Sequence, residues 1–238
     1  MAFKSPYKVS AMHHRHLALG ATMVEVDQWR RPERYTSSEE ELGAIHQGVG
    51  LCDISPVGKL IIQGIDIESF LGKTFSSAPK VGRIERQALS SSDDSTPVEV
   101  MACRLCDDEV LIISASDKVQ SVAQELEEGM SECVHLVDMT SALAGLNIVG
   151  PNSRDTLAKL TELDLSPVAL PNLSCVQGSV AEVHATLMRH DGGGESGYEI
   201  YFGRDLGEHV WDAIMEAGEE FQIRPFGLAA LQELRSGG

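Results

Sequence analysis

The sequence predicts an α+β fold, and three observations predict it. Apolar residues make up 42% of its 238 positions, enough to bury a real core in one large domain or two small ones. Three segments share one pattern of an apolar run, a turn containing Gly, Ser or Asp, and an amphipathic helix: 59–74 (KLIIQGIDIESFLGKT), 109–128 (EVLIISASDKVQSVAQELEE) and 146–163 (LNIVGPNSRDTLAKLTEL). Further strands and helices follow in mixed order. The first and third segments match best, each with an apolar strand, Gly64 or Gly150, and helical leucines. That recurrence suggests duplicated units laying their helices on a shared sheet, with a period too long and copies too few for a solenoid.

Each element has its own justification. In 36–48 (TSSEEELGAIHQG), Ser37 followed three residues later by Glu40 is a capping signal, and Gly48 ends the helix. Strands are expected at 97–105, 134–138, 145–149, 179–189 and 198–202. The polar 90–97 (SSSDDSTP) and the Pro-rich 165–174 (LSPVALPNLS) read as loops, the second as a divider between two lobes. In 206–218, Val210, Trp211, Ile214 and Met215 share one helical face and Gly218 stops the helix.

Charge excludes some partners. Asp and Glu outnumber Lys and Arg by 36 to 19, a field that repels phosphate backbones and anionic lipid, so neither nucleic acid nor membrane is expected. Only seven of the basic residues are lysines, a balance that a high-salt habitat would also produce. The N-terminus lacks a signal-peptide core and no apolar run reaches membrane-spanning length, which suggests a cytoplasmic protein. Five scattered cysteines are poor material for a disulfide framework.

The stretch 189–199, RHDGGGESGYE, spells GxGxxG from Gly192 to Gly197. A dinucleotide loop needs a helix after the glycines, to bring its N-terminal amides to the pyrophosphate. Here Tyr198, Ile200 and Phe202 alternate as in a strand, and Val183, Ala185 and Leu187 do so before the loop. Residues 180–202 therefore read as a hairpin with a wide glycine turn. Glycines let backbone approach a flat ring, and the two acceptor oxygens of Glu195 match the paired N–H donors of a pterin or guanine edge. The alternative is a solvated loop glutamate.

Other constellations are weaker. His13, His14 and His16 lack ligand spacing, so no metal is expected there. Cys103 and Cys106 form a CxxC inside a strand, where positions three apart face opposite ways. Asp53 and Ser55 share a face at a strand entry, as a site or as a cap. No Ser, His and acid are spaced for nucleophilic catalysis.

Taken in order, several stretches resemble the folate-binding T-protein family, the aminomethyltransferases of the glycine cleavage system and their methyltransferase and demethylase relatives. They are HLALGATMVEVDQW, EEELGAIHQGVGLCDISPVGKLIIQG, LNIVGPNSRDTL, RHDGGGESGYEI and RPFGLAALQELR. The resemblance spans nearly the whole chain. It implies ferredoxin-like halves around a folate channel, with 1–50 and 140–238 as the folate-binding lobe and 51–139 as a second α+β lobe. It also implies that the chain stops where the family continues into a C-terminal β domain, so that another chain supplies that wall or it is absent.

Residue by residue, the resemblance puts Glu195 at the pterin edge with Tyr198 packed behind the loop. It puts the family's acidic pair at Val98 and Glu99, leaving Glu99 as the charge near the reacting carbon. It aligns Ser114 with an asparagine, Gly192 with the loop tyrosine, Val57 with a methionine and Leu231 with an arginine. The implied function is tetrahydrofolate-dependent methyl or aminomethyl transfer from a small donor or a carrier protein. The alternative is a non-catalytic folate-binding or scaffold subunit, working with a partner subunit or as a homo-oligomer.

Overall fold

The computed structural model describes residues 7–89 and 97–236, so most of the expected loop at 90–97 lies outside the described residues. Strand β1 (Lys8–Val9), helix α1 (His13–Ala18) and strands β2 (Thr22–Val26) and β3 (Trp29–Arg34) come first, the strands forming a small sheet in the order β1-β3-β2. Helix α2 (Ser38–Gln47) begins where the capping signal placed it, with the Glu40 amide donating to Ser37 Oγ at 3.2 Å, and Gly48 closes it. Strand β4 (Gly50–Asp53) follows.

Next come β5 (Gly58–Gly64), α3 (Ile67–Thr74), β6 (Ile84–Leu89), β7 (Val98–Cys106), β8 (Glu109–Ser114), α4 (Val119–Glu128) and β9 (Val134–Asp138). Their strands form an antiparallel sheet ordered β6-β7-β8-β5-β9. Then β10 (Leu143–Val149), α5 (Ser153–Leu157), β11 (Ser174–Val180), β12 (Val183–Arg189), β13 (Gly197–Gly203), α6 (Gly207–Ala217), β14 (Arg224–Pro225) and α7 (Leu228–Ser236) complete the chain. Together with β4 they build a six-stranded sheet, β11-β12-β13-β10-β4-β14.

Alternation along the strands sorts side chains into three cores. On β8, Val110 and Ile112 join Phe70, Leu71, Val122 and Leu126 under α3 and α4, whereas Leu111 and Ile113 face the other large sheet. On β13, Tyr198, Ile200 and Phe202 pack with Trp211 and Ile214 of α6, and Tyr201 turns toward the middle. The middle core joins the sheets face to face through Ile54, Ile84, Cys103, Ile113, Cys175, Met188 and Tyr201, with Leu231 and Leu234 of α7. The order is helices, sheet, sheet, helices. Among the described residues no helix is long and apolar enough to cross a membrane.

Three expectations are corrected. The strand expected at 179–189 is two strands, β11 and β12, joined at Ala181 and Glu182 with φ of 50° and 65°; this tight turn uses no glycine and so left no mark in the sequence. The repeated units do not share one sheet: β5–α3 and β8–α4 lie on the five-stranded sheet and β10–α5 on the six-stranded one, with α5 only five residues long. The Pro-rich stretch 165–174 divides no sheets, because it leads from β10 and α5 back into the same six-stranded sheet. The hairpin of β12 and β13 stands as expected, paired from Ala185↔Phe202 to Arg189↔Tyr198.

A buried polar junction fixes the passage between the sheets. His16, fully buried, places Nε2 2.9 Å from Asp53 Oδ2 and Nδ1 2.8 Å from the Tyr35 hydroxyl. Asp53 Oδ1 accepts the Ser55 amide at 2.9 Å, so the cap reading of Asp53 and Ser55 describes this contact. Burial pushes the Asp53 carboxyl up, yet His16, Ser10 and Ser55 bond to its ionised form and hold it at about 2. Lys59, also fully buried, donates to the carbonyls of Ser55 and Val57 at 2.7 and 2.8 Å. Burial brings its ammonium down to about 7 against the pull of Asp53 and Asp138. Both ends of the turn at residues 54–57 are thus tied.

Removing the buried Asp53 carboxylate leaves its hydrogen-bond partners, His16 Nε2 and the Ser55 amide, without an acceptor. Asp53→Ala is expected to lower the unfolding free energy by about 3–5 kcal/mol in urea denaturation at neutral pH, from the loss of two hydrogen bonds to an ionised group. A loss below about 1 kcal/mol would show that the junction does not hold the turn.

Candidate functional site

The two large sheets part at one edge, and a cleft of about 440 Å³ opens there. The five-stranded sheet and its approach contribute Val57, Arg86, Glu99, Met101, Ile113 and Ser114; the opposite wall carries His190, Asp191, Gly192, Gly193, Leu234 and Arg235. Strand period explains this selection. On β7, Val100 and Ala102 pack into the core under the helices, although Val100 also borders the cleft, and Val98 packs against the same core, so Glu99, Met101 and Cys103 face between the sheets. On β6, Ile84 faces between the sheets and Arg86 lies two residues on. Two other hollows, near Arg204 and near Lys159, are more open and have no such inward wall.

Of the residues expected at the site, Val57, Glu99, Ser114 and Gly192 line the cleft together. Val98 does not, for the reason just given. Tyr198 is buried in the core beneath α6, behind the hairpin. Glu195 is not on the cleft wall. It sits in the turn after Gly194 with Oε1 3.0 Å from His46 Nδ1 of α2, and its side chain is 22% exposed. The glycines Gly193 and Gly194 have φ of 61° and 82°, which lets the loop fold back against Leu234. Because β13 follows Gly197, no helix N-terminus meets the glycines, and the dinucleotide reading is removed.

Behind the cleft lies a second carboxylate, Glu199, which is 1% exposed. It borders a void of about 40 Å³ behind the cleft, which shares His190, Gly192, Leu234 and Arg235 with it. The Tyr201 hydroxyl donates to Glu199 Oε2 at 2.6 Å and Arg235 Nη2 to Oε1 at 3.2 Å. Arg86 Nη2 lies 2.9 Å from His190 Nε2. A guanidinium only donates, so this nitrogen accepts and the ring proton sits on Nδ1, which is 3.8 Å from Glu199 Oε1. Burial raises the Glu199 carboxyl, but the nearby His190, the Arg235 guanidinium and the Tyr201 hydroxyl favour its ionised form and bring it below its ordinary value. Arg235 is about half exposed, so its end of the network is open to solvent.

Sequence reasoning missed Glu199, Arg86, His190 and Arg235. For Glu199 a signal exists: in GYEIYFG an acid stands amid aromatic and aliphatic residues, two positions from a tyrosine on the same face. Among the described residues, no group of three His, Cys, Asp or Glu could hold a metal.

The family model of the GCVT N-terminal domain matches residues 12–237. An aminomethyltransferase from Acidobacterium capsulatum is 32% identical over 95% of this chain and 61% of its own length. Sarcosine oxidase subunit alpha from Corynebacterium sp. (strain P-1) is 30% identical over 97% of this chain but only 26% of its own length. The crystal structure of the glycine cleavage system aminomethyltransferase T from Bartonella henselae shares the fold, with a TM-score of 0.83 at 20% identity, over 96% of this chain and 62% of that one. The chain thus spans under two thirds of each of these proteins.

Because the folded value of Glu199 lies below 4.5, its ionised form stabilises the fold fully above about pH 4.5, and that contribution fades as the pH falls further. Glu199→Gln is expected to cost about 1–3 kcal/mol at neutral pH and progressively less toward pH 3. Denaturation curves of both proteins across that range check this, and a gap that widened on acidification would contradict it.

Proposed function

The chain belongs to the GCVT N-terminal domain family, and from that premise we propose that it binds tetrahydrofolate in the cleft between the sheets and takes part in one-carbon transfer of the T-protein type. Residues 1–50 with 140–238 would form the folate-binding lobe and 51–139 the second lobe, one on each side of the cleft. The donor is a small molecule or a group on a carrier protein, and the setting is the cytoplasm. The observation that carries this reading is Glu199, a buried ionised carboxylate bordering the void of about 40 Å³ directly behind the cleft.

The residues present fit such a ligand. The cleft volume lies in the range of drug-sized sites. Glu199 offers two oxygens side by side, and a pterin edge presents two adjacent N–H donors. One contact to each oxygen comes from Tyr201 and Arg235, and displacement of the half-exposed Arg235 frees Oε1. Glu199 rather than Glu195 is therefore the proposed anchor, with Glu195 holding the glycine loop to α2 through His46.

Tetrahydrofolate, when bound, supplies the nitrogen nucleophile that takes up the one-carbon unit. The chain's own groups position and polarise. Glu99 holds a negative charge across the cleft from Glu199's wall, and Val57, Met101 and Ile113 give an apolar floor. This work needs few acids or bases, because most of it is orientation. The apolar Val57 and the glycine at 192 leave Arg86, Glu99, His190, Asp191 and Arg235 as the cleft's charged or titratable side chains.

A second reading keeps the fold as a non-catalytic subunit. The observation favouring it is that the same stretch forms about a quarter of sarcosine oxidase subunit alpha, where it is one part of a larger protein. Light scattering of the chain alone and with proteins encoded beside it separates the two: a solitary monomer with transfer activity excludes the scaffold.

Calorimetry with tetrahydrofolate is expected to show binding that Glu199→Ala weakens by at least about tenfold and Glu195→Ala changes by less than about threefold. Equal loss in both variants, or none in either, would remove Glu199 as the anchor.

A further inference from the structure

One side-chain hydrogen bond crosses the cleft. Arg86 belongs to β6 of the five-stranded sheet and His190 follows β12 of the six-stranded one, yet Arg86 Nη2 stands 2.9 Å from His190 Nε2. Among the described residues, the side chains lining the cleft make no other hydrogen bond or ion pair from one wall to the other. Arg235 bonds to Glu199 on its own side, and Asp191 to Arg189. Arg86 is exposed and the His190 side chain is 18% exposed, so their contact lies at the mouth of the cleft and not in its floor.

This bond exists in one protonation state only. A guanidinium donates and never accepts, so Nε2 offers a lone pair and the ring proton stays on Nδ1, 3.8 Å from Glu199 Oε1. A second proton, on Nε2, removes the acceptor, sets two cations face to face and draws the ring toward Glu199. The other charges around the ring leave this competition in place. Both oxygens of Asp191 accept from Arg189, Arg235 of α7 meets Glu199 from its other side, and Glu99 of β7 lines the opposite wall. Arg86 thus favours the neutral imidazole and Glu199 the charged one. We propose that Arg86 and His190 form a proton-controlled latch across the mouth of the cleft, closed while the imidazole is neutral and released when it is protonated. Release frees the guanidinium and unties the start of the glycine loop from β6. Histidine is the side chain that changes charge between about pH 5 and 8, so the latch works in the range where proteins ordinarily operate. It requires no particular ligand in the cleft.

NMR of the ligand-free protein, labelled on its histidine and arginine side-chain nitrogens, tests the latch between about pH 5 and 8. At the alkaline end His190 is expected to carry its one proton on Nδ1 and the Arg86 Nη protons to be protected from exchange. At the acid end both ring nitrogens are protonated, and the protection, taken relative to free arginine, falls about tenfold or more. His190→Gln offers an acceptor that takes up no proton, and is expected to keep Arg86 protected throughout. Arg86→Gln is expected to move the titration of His190 to higher pH. Circular dichroism checks that both variants fold, and the position of the ring proton is read without either. A neutral ring protonated on Nε2, or Arg86 protection that stays constant while His190 titrates, would overturn the latch. So would an unmoved His190 titration in Arg86→Gln. No ligand is present in these measurements, so their outcome is separate from that of the folate reading.

Discussion

The face-to-face packing of the two large sheets is the constraint on which the rest depends. Their shared core, from Ile54, Cys103 and Ile113 to Met188 and Tyr201, excludes water over most of the contact. A strand offers only alternate side chains to that core, so inward positions are apolar where the sheets touch, and polar ones join them where the sheets part. Glu99, two residues before Met101 on β7, and Glu199, two before Tyr201 on β13, are continuations of inward rows past the end of the apolar contact. The cleft is thus the margin of the core, lined by residues that share its register.

That margin is held in shape by buried charge. His16, Asp53 and Lys59 sit where the chain crosses from one sheet to the other, and each has partners that compensate the loss of water. Glu41 does the same farther along the edge, its Oε1 accepting the Tyr35 and Thr36 amides and its Oε2 the Gly227 amide, so that the chain ahead of α2 is fastened to the start of α7. Helix α7 in turn delivers Leu234 and Arg235 to the cleft. The polar network therefore does positional work that an apolar contact of equal area would do less specifically.

Much of this was legible in the sequence, and the parts that were not have identifiable causes. The cap at Ser37, the stripe of α6 and the hairpin around the glycines depend on local pattern and stand in the structure. The turn at Ala181 and Glu182 uses left-handed backbone without glycine, so a hairpin read as one strand. Glu99 emerged because one resemblance pointed at it and strand alternation then turned it inward. Glu199 stayed hidden because the alternation of Tyr198, Ile200 and Phe202 marks it as the outward face of a one-sided strand, whereas β13 is buried on both faces, and because the nearby Glu195 occupied the more conspicuous glycine turn. Arg86 and Arg235 join the site from strands and helices distant in sequence, a proximity that only the fold creates.

The most direct measurement is a crystal structure of the protein with tetrahydrofolate. The expected result is a pterin ring in the cleft between the sheets, with its paired N–H donors on the Glu199 carboxylate and its reactive nitrogens toward Glu99. A pterin bound at Glu195 and His46, or a ligand seated on another surface with the cleft empty, would contradict it.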